Sequence, residues 1–118
     1  MYRLPKNINL AFFLTREIEQ ICFGANSLIL NFDGYLSVNV TSSIGLADST
    51  GRMQEYLDFR EGAQTLLALI NQPVTSATSD EAGTLLLTFA SGTVLAIYDD
   101  SDQFESYFIQ NGDQLIVV

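Results

Sequence analysis

The most constraining feature of this sequence is residues 84–118, where short alternating runs of aliphatic, β-branched and aromatic residues are separated only by turn dipeptides. Such a run leaves room for little but antiparallel hairpins. Residues 84–89 and 93–98 flank Ser91-Gly92. Read as a two-residue turn, that pair sets Phe89 opposite Val94, Leu87 opposite Ala96 and Leu85 opposite Tyr98, which makes one face wholly apolar. Asn111-Gly112 predicts a last hairpin between residues 105–110 and 114–118. The final strand is apolar on both faces, so it needs cover on both, from its own sheet or from a partner such as a second copy.

The first half echoes this pattern. An apolar lead-in at 14–18 precedes residues 27–32, a turn at Asp33-Gly34, and residues 35–40. The corresponding lead-in of the second half is 70–74. We read an internal pseudo-repeat, 10–42 and 66–100, within a single domain spanning 1–118. In the first hairpin a two-residue turn would set Leu30 against Ser37. A three-residue loop, 33–35, sets Phe32, Leu30 and Leu28 against Leu36, Val38 and Val40. A slip of one residue exchanges the two faces of a strand, so burial selects the longer loop.

Between the halves, residues 47–51 are turn chemistry and residues 54–59 read as a short strand. Leu66, Leu69 and Ile70 fall at helical spacing, and Pro73 stops the pattern, which predicts a helix over 61–70. Residues 10–14 offer a counterpart helical turn. Residues 99–102, with three aspartates, suit an exposed turn that Ser101 caps through Phe104.

Composition bounds the function. One domain of 118 residues buries enough surface for a core without staples. No run approaches the roughly 18 apolar residues of a membrane-spanning helix. The N-terminus lacks a cleavage site of small residues, so no signal peptide is expected. The lone Cys22 fits a reducing cytosol and a small hydrophobe's role. Cytoplasmic localisation follows as an expectation.

The charge is one-sided. Residues 1–60 carry five bases and six acids; residues 61–118 carry eight acids and no base, out of a net charge of −9. Such a chain repels phosphate backbones and anionic lipid, which argues against nucleic-acid and membrane partners. A basic protein would be attracted.

With no histidine, neither a Ser-His-Asp nor a Cys-His arrangement can be built. The familiar zinc sites need more Cys and His than the chain has. No lysine lies beyond residue 6, which removes a P-loop lysine and a Schiff base from most of the chain. Asp99, Asp100, Asp102 and Glu105 do not match the EF-hand spacing, so they read as a solvated turn before a cation site. Paired-carboxylate catalysis carries almost no weight among fourteen acids. No catalytic residue, metal or cofactor is expected.

Residues 69–74, the run Gly83, Leu85, Leu87, Phe89, Gly92 and Leu95, residues 99–107 and the closing 116–118 resemble the DUF6188-like group of small bacterial proteins of unknown function. Its pattern is roughly G-x-L-x-L-x-F-x-x-G-x-x-L, then Y-E-x-W/Y and a β-rich ending. The likeness covers about residues 66–118. It departs from the pattern at Phe104, where Tyr is expected, and at Tyr107, where Trp is common. The resemblance implies a bacterial cytosolic protein. In size, charge and inertness it is analogous to small immunity proteins that neutralise toxins.

The expected fold is mainly β (α+β), with about eight antiparallel strands in two pseudo-repeated meanders. They form a sandwich or partly closed barrel with one short helix near 61–70. The expected core is Leu28, Leu30, Phe32, Leu36, Val38, Leu66, Leu69, Leu85, Leu87, Phe89, Val94, Ile97, Ile109, Leu115 and Val117. The expected function is a non-catalytic protein–protein interaction module, of the kind an immunity-type inhibitor of a basic partner would be. Asp99, Asp100, Asp102, Glu105, Tyr98 and Tyr107 are its candidate binding residues. The alternative is a small-ligand-binding β-barrel carrier with Phe12, Phe13, Phe23 and Tyr35 lining a pocket.

Overall fold

The structure, a computed structural model, describes residues 4, 8–100 and 105–118. Ten strands follow in chain order: β1 (Ile18–Phe23), β2 (Leu28–Phe32), β3 (Leu36–Val40), β4 (Ile44–Ala47), β5 (Met53–Tyr56), β6 (Val74–Ser79), β7 (Leu85–Phe89), β8 (Val94–Ile97), β9 (Tyr107–Asn111) and β10 (Gln114–Val117). They make two five-stranded antiparallel sheets, which fit a sandwich. Sheet I has the order β1-β2-β3-β9-β10 and sheet II the order β5-β4-β8-β7-β6. Neither sheet closes on itself, so the described residues form no barrel. Each run of three consecutive strands is completed by the hairpin that follows the other run. The chain therefore passes between sheets at 41–43 and again between β8 and β9, where 98–100 and 105–106 are described.

Alternation builds the core. In β2 and β3, Leu28, Leu30, Phe32, Leu36, Val38 and Val40 are buried, while the residues between them are only half-buried. From the other sheet, Leu85, Leu87, Phe89, Leu95, Ile97, Ile44 and Leu46 join the same cluster. Full burial of each such side chain is worth about 1.5–3 kcal/mol, so the inward faces dominate register choice. The first hairpin obeys this rule. Phe32 pairs with Leu36, Leu30 with Val38 and Leu28 with Val40 around the loop 33–35. That loop places Gly34 and Tyr35 both at positive φ, 73° and 62°.

The second hairpin corrects the expected register. Leu85 pairs with Ile97, Leu87 with Leu95 and Thr88 with Val94, one residue away from the expected partners. The loop has three residues, 90–92. Phe89 N–H donates to Thr93 O at 2.9 Å, and Gly92 N–H donates to Phe89 O at 2.8 Å. Gly92 takes φ 92° at the third loop position, where a left-handed residue is needed and glycine fits without strain. The shift turns Leu95 inward and leaves Val94 half-buried.

Four further expectations change. β4 was not expected, and it raises the strand count to ten. The helix is shorter: a 3₁₀ turn (Phe59–Gly62) leads into α1 (Ala63–Leu67). Asp58 starts the turn by accepting from Arg60 N–H at 3.0 Å. Ile70 instead bridges to Ile18, because Asn71 turns left-handed at φ 69° and its N–H donates to Ile18 O at 2.9 Å. The last hairpin turns at Gly112 and Asp113, with Asn111 paired to Gln114. That register sets Ile109 against Ile116 on the inner face. Finally, β10 is an edge strand: Leu115 is 55% exposed and Val117 half-buried, so neither belongs to the core. The counterpart helical turn in the first half is present as a 3₁₀ turn (Ala11–Phe13).

Candidate functional site

Both passages between the sheets meet at one end of the molecule, and the acidic residues sit there. Tyr98 N–H donates to Ser43 O at 3.2 Å, and Thr41 N–H donates to Ser106 O at 2.9 Å. Thr41 Oγ1 donates to Glu105 O at 2.7 Å. Ser106, fully buried, donates its hydroxyl to Asp99 at 3.0 Å. Ser43 donates its hydroxyl to Asp100. Asp100 thus clasps the second crossing to the first, while Asp99 ties the two ends of the second crossing together. Each serine satisfies one carboxylate oxygen of its partner, which is the usual condition for an acid at a packed end. The expected turn is therefore part of the fold's closure at Asp99 and Asp100; Asp102 and the Ser101 cap lie outside the described residues.

Tyr98 lies over β4. Gly45 is the residue beneath it: a Cβ there would collide with the Tyr98 hydroxyl and stand 2.8 Å from Met53 Sδ. Across β4, Tyr98 hydrogen-bonds Glu55 of β5, and burial, followed by the Glu55 charge, raises its phenol above the ordinary value. Tyr107 is buried in the core and donates its hydroxyl to Gly83 O at 2.8 Å. Burial, then the charges of Asp99 and Asp80, push its phenol well up. Asp80 itself shapes the β6–β7 turn, accepting from Ala82 and Thr84 N–H at 2.9 Å each.

The five described candidate residues do not form one patch. Tyr98, Asp99 and Asp100 line a surface cleft of about 350 Å³ together with Ser43, Glu55, Leu57, Ala82 and Thr84. Glu105 and Tyr107 border a different groove of about 390 Å³ beside Phe108 and Leu115. The Tyr107 side chain is buried with its hydroxyl bonded inside, so it offers that groove no polar group. Glu55 and Leu57 escaped the sequence reading. Glu55 sits in the near-neutral half of the chain, and only the β4–β5 pairing, Gly45 with Glu55, brings it to the acidic end. Leu57, 92% exposed, shows no alternation that would flag it.

The carrier aromatics are also dispersed. Phe13 is buried against Phe12 and Phe32, with ring centroids 4.9 and 5.7 Å away, whereas Tyr35 stands 90% exposed at a hairpin tip. Among the described residues, no group of three His, Cys, Asp or Glu converges as a metal site would require. No helix among them is long and apolar enough to cross a membrane.

The fold and the site define a class: a two-sheet antiparallel β protein whose inter-sheet crossings bind each other through an acidic clasp. The chain belongs to the family of unknown function DUF6188, whose model matches residues 12–118. The match covers nearly the whole chain, well beyond the 66–118 over which the resemblance was read. No curated protein and no solved structure matches it significantly.

Proposed function

We propose that this chain is a non-catalytic binding module that presents its acidic end to a basic protein, in the manner of an immunity-type inhibitor. The observation that carries this reading is the distribution of charge. Eight acids and no base occupy residues 61–118, and Glu55 joins Asp99 and Asp100 in one cleft. A concave wall with carboxylates of one sign focuses the field on an incoming ammonium or guanidinium group. The cleft also has an apolar anchor in Leu57, whose exposure is high for a leucine. The nearby Arg60 is engaged by Asp58 at 2.9 Å.

Asp100 and Glu55 are the exposed acids of the cleft, whereas Asp99 is tied to buried Ser106. The test is affinity capture with the intact chain, comparing wild type with Asp100→Lys and Leu57→Ser. A basic protein retained by wild type, released by salt and lost on Asp100→Lys, would support the reading. Capture unchanged by Asp100→Lys, or capture of no basic protein at all, would count against it.

A further inference from the structure

Four strand edges border the two sheets, and three carry a device that discourages pairing with another chain. β1 has a bulge between Ile18 and Gln20 with Glu19 exposed. β6 has a bulge between Val74 and Ser76 and follows Pro73. β5 contains Glu55 and follows Arg52. β10 has no such device within the strand: Gln114–Val117 holds no charge and no proline, and its pairing with β9 runs without a shift, Asp113 standing just before it.

Among the described residues, the backbone of β10 is open in a defined way. Val118 N–H donates to Tyr107 O at 2.9 Å, so alternate residues on either side, Leu115 and Val117, aim their N–H and C=O groups away from β9. Their side chains share the outer face of sheet I. There Val117, Phe108 and Asn39 form one cross-strand row and Leu115, Gln110 and Ser37 the next, as the pairings require. Neither row contains a charge. On a chain of net charge −9 these two rows, with Glu105 only at their border, attract a basic partner less than the acidic cleft does and repel a copy of this chain least.

We infer that β10 pairs antiparallel with β10 of a second copy, joining two sheets I into one continuous sheet. Leu115 then stands opposite Val117 of the other copy and the reverse, so each of these residues exchanges both backbone bonds across a two-fold axis at Ile116. An isologous contact of this kind closes after two chains and leaves no further open β10 edge. No residue of the acidic cleft takes part. Asp113, just before the strand, approaches the Glu105 end of the other copy, because Ser106 N–H donates to Val118 O at 2.7 Å and so places that end beside β10. Salt should therefore strengthen the dimer by screening these like charges.

The test is the solution mass of the intact chain by light scattering during size exclusion, at low and raised salt, with a thermal melt beside it. Wild type is expected at twice the chain mass, with the dimer fraction rising with salt. Leu115→Lys and Leu115→Glu should each run at the single-chain mass and still melt in one cooperative step, lowered only by the association they lose, since Leu115 is 55% exposed. An equimolar mixture of the two should recover the dimer, because diagonal neighbours on one face lie within reach of long side chains. Leu115→Ser, small and neutral, should weaken association by about tenfold or more through lost apolar burial alone. A single-chain mass for wild type under both conditions overturns the inference. So does a dimer that survives Leu115→Lys or Leu115→Ser.

Discussion

Tyr35 carries a bulky side chain where the backbone is left-handed, at φ 62°, yet the ring is 90% exposed. Little packing offsets that conformation, which costs an L-residue roughly 1–2 kcal/mol. Tyr35→Gly should therefore stabilise the protein, by about 0.5–1 kcal/mol once glycine's greater unfolded-state freedom is deducted. A denaturant titration checks this, and a lower midpoint would show that the ring makes contacts that matter. The opposite result is expected at Gly45, whose lack of a side chain lets Tyr98 lie across β4. Gly45→Ala forces the ring or Met53 aside, and overpacking of this kind costs about 1–3 kcal/mol. A displaced ring is less buried and farther from Glu55, so its phenol should titrate lower, nearer its ordinary value, in a spectrophotometric titration.

At the scale of the element, β9 is fixed to the sheet II side of the molecule by the hydroxyl of Tyr107 on Gly83 O. Tyr107→Phe leaves that carbonyl without its donor, a loss of about 1–3 kcal/mol at neutral pH. The pH dependence has a definite sign. The folded state raises the Tyr107 phenol above its ordinary 10.0, so it binds this proton more tightly than the unfolded chain does. Stability from this group is whole below pH 10 and declines as pH rises beyond it. Alkaline melts of wild type should therefore fall more steeply than those of Tyr107→Phe, and the gap between the two should narrow. Parallel curves would mean that the buried phenol does not set the alkaline limb.

Which elements are legible in the sequence follows from the same energetics. The β2–β3 hairpin and its three-residue loop can be read because only one register buries Leu28, Leu30 and Phe32 against Leu36, Val38 and Val40. The β7–β8 hairpin misleads because β8 is apolar at every position, so alternation does not choose between Val94 and Leu95; the left-handed Gly92 does. β4 is hidden by Gly45, which lowers strand propensity in order to seat Tyr98. With β4 unread, Glu55 could not be placed beside Asp99 and Asp100, and the candidate site was drawn along the chain instead of across it. Tyr98, Asp99 and Asp100 do share a cleft, while Glu105 and Tyr107 face elsewhere.

At the scale of the whole molecule, the fold crowds like charges at the end where its two sheets exchange strands. Glu55 and the adjacent Asp99 and Asp100 come from two separate stretches and share a single cleft, and Asp80 acts on both tyrosines beside it. The Ser43 bond to Asp100 joins the crossings and the Ser106 bond to Asp99 braces the second, but both leave the carboxylates' net charge in place. Mutual repulsion there should weaken the folded state at low ionic strength and be relieved as the Debye length shrinks to about 8 Å near 0.15 M salt. The melting temperature should accordingly rise with sodium chloride. Each kcal/mol of relieved repulsion is worth about 4 °C in a domain of this size. Glu55→Gln keeps a hydrogen-bonding group for Tyr98 while removing a charge, so its melting temperature should depend less on salt than that of wild type. The comparison is a salt series of thermal melts on both proteins at one protein concentration, so that association is held equal. If wild type and Glu55→Gln respond to salt alike, the charges are solvated separately and the cleft has no concentrated field to offer a basic partner. If the variant's response is the flatter, the repulsion stored at this end is what a cationic side chain would relieve on binding.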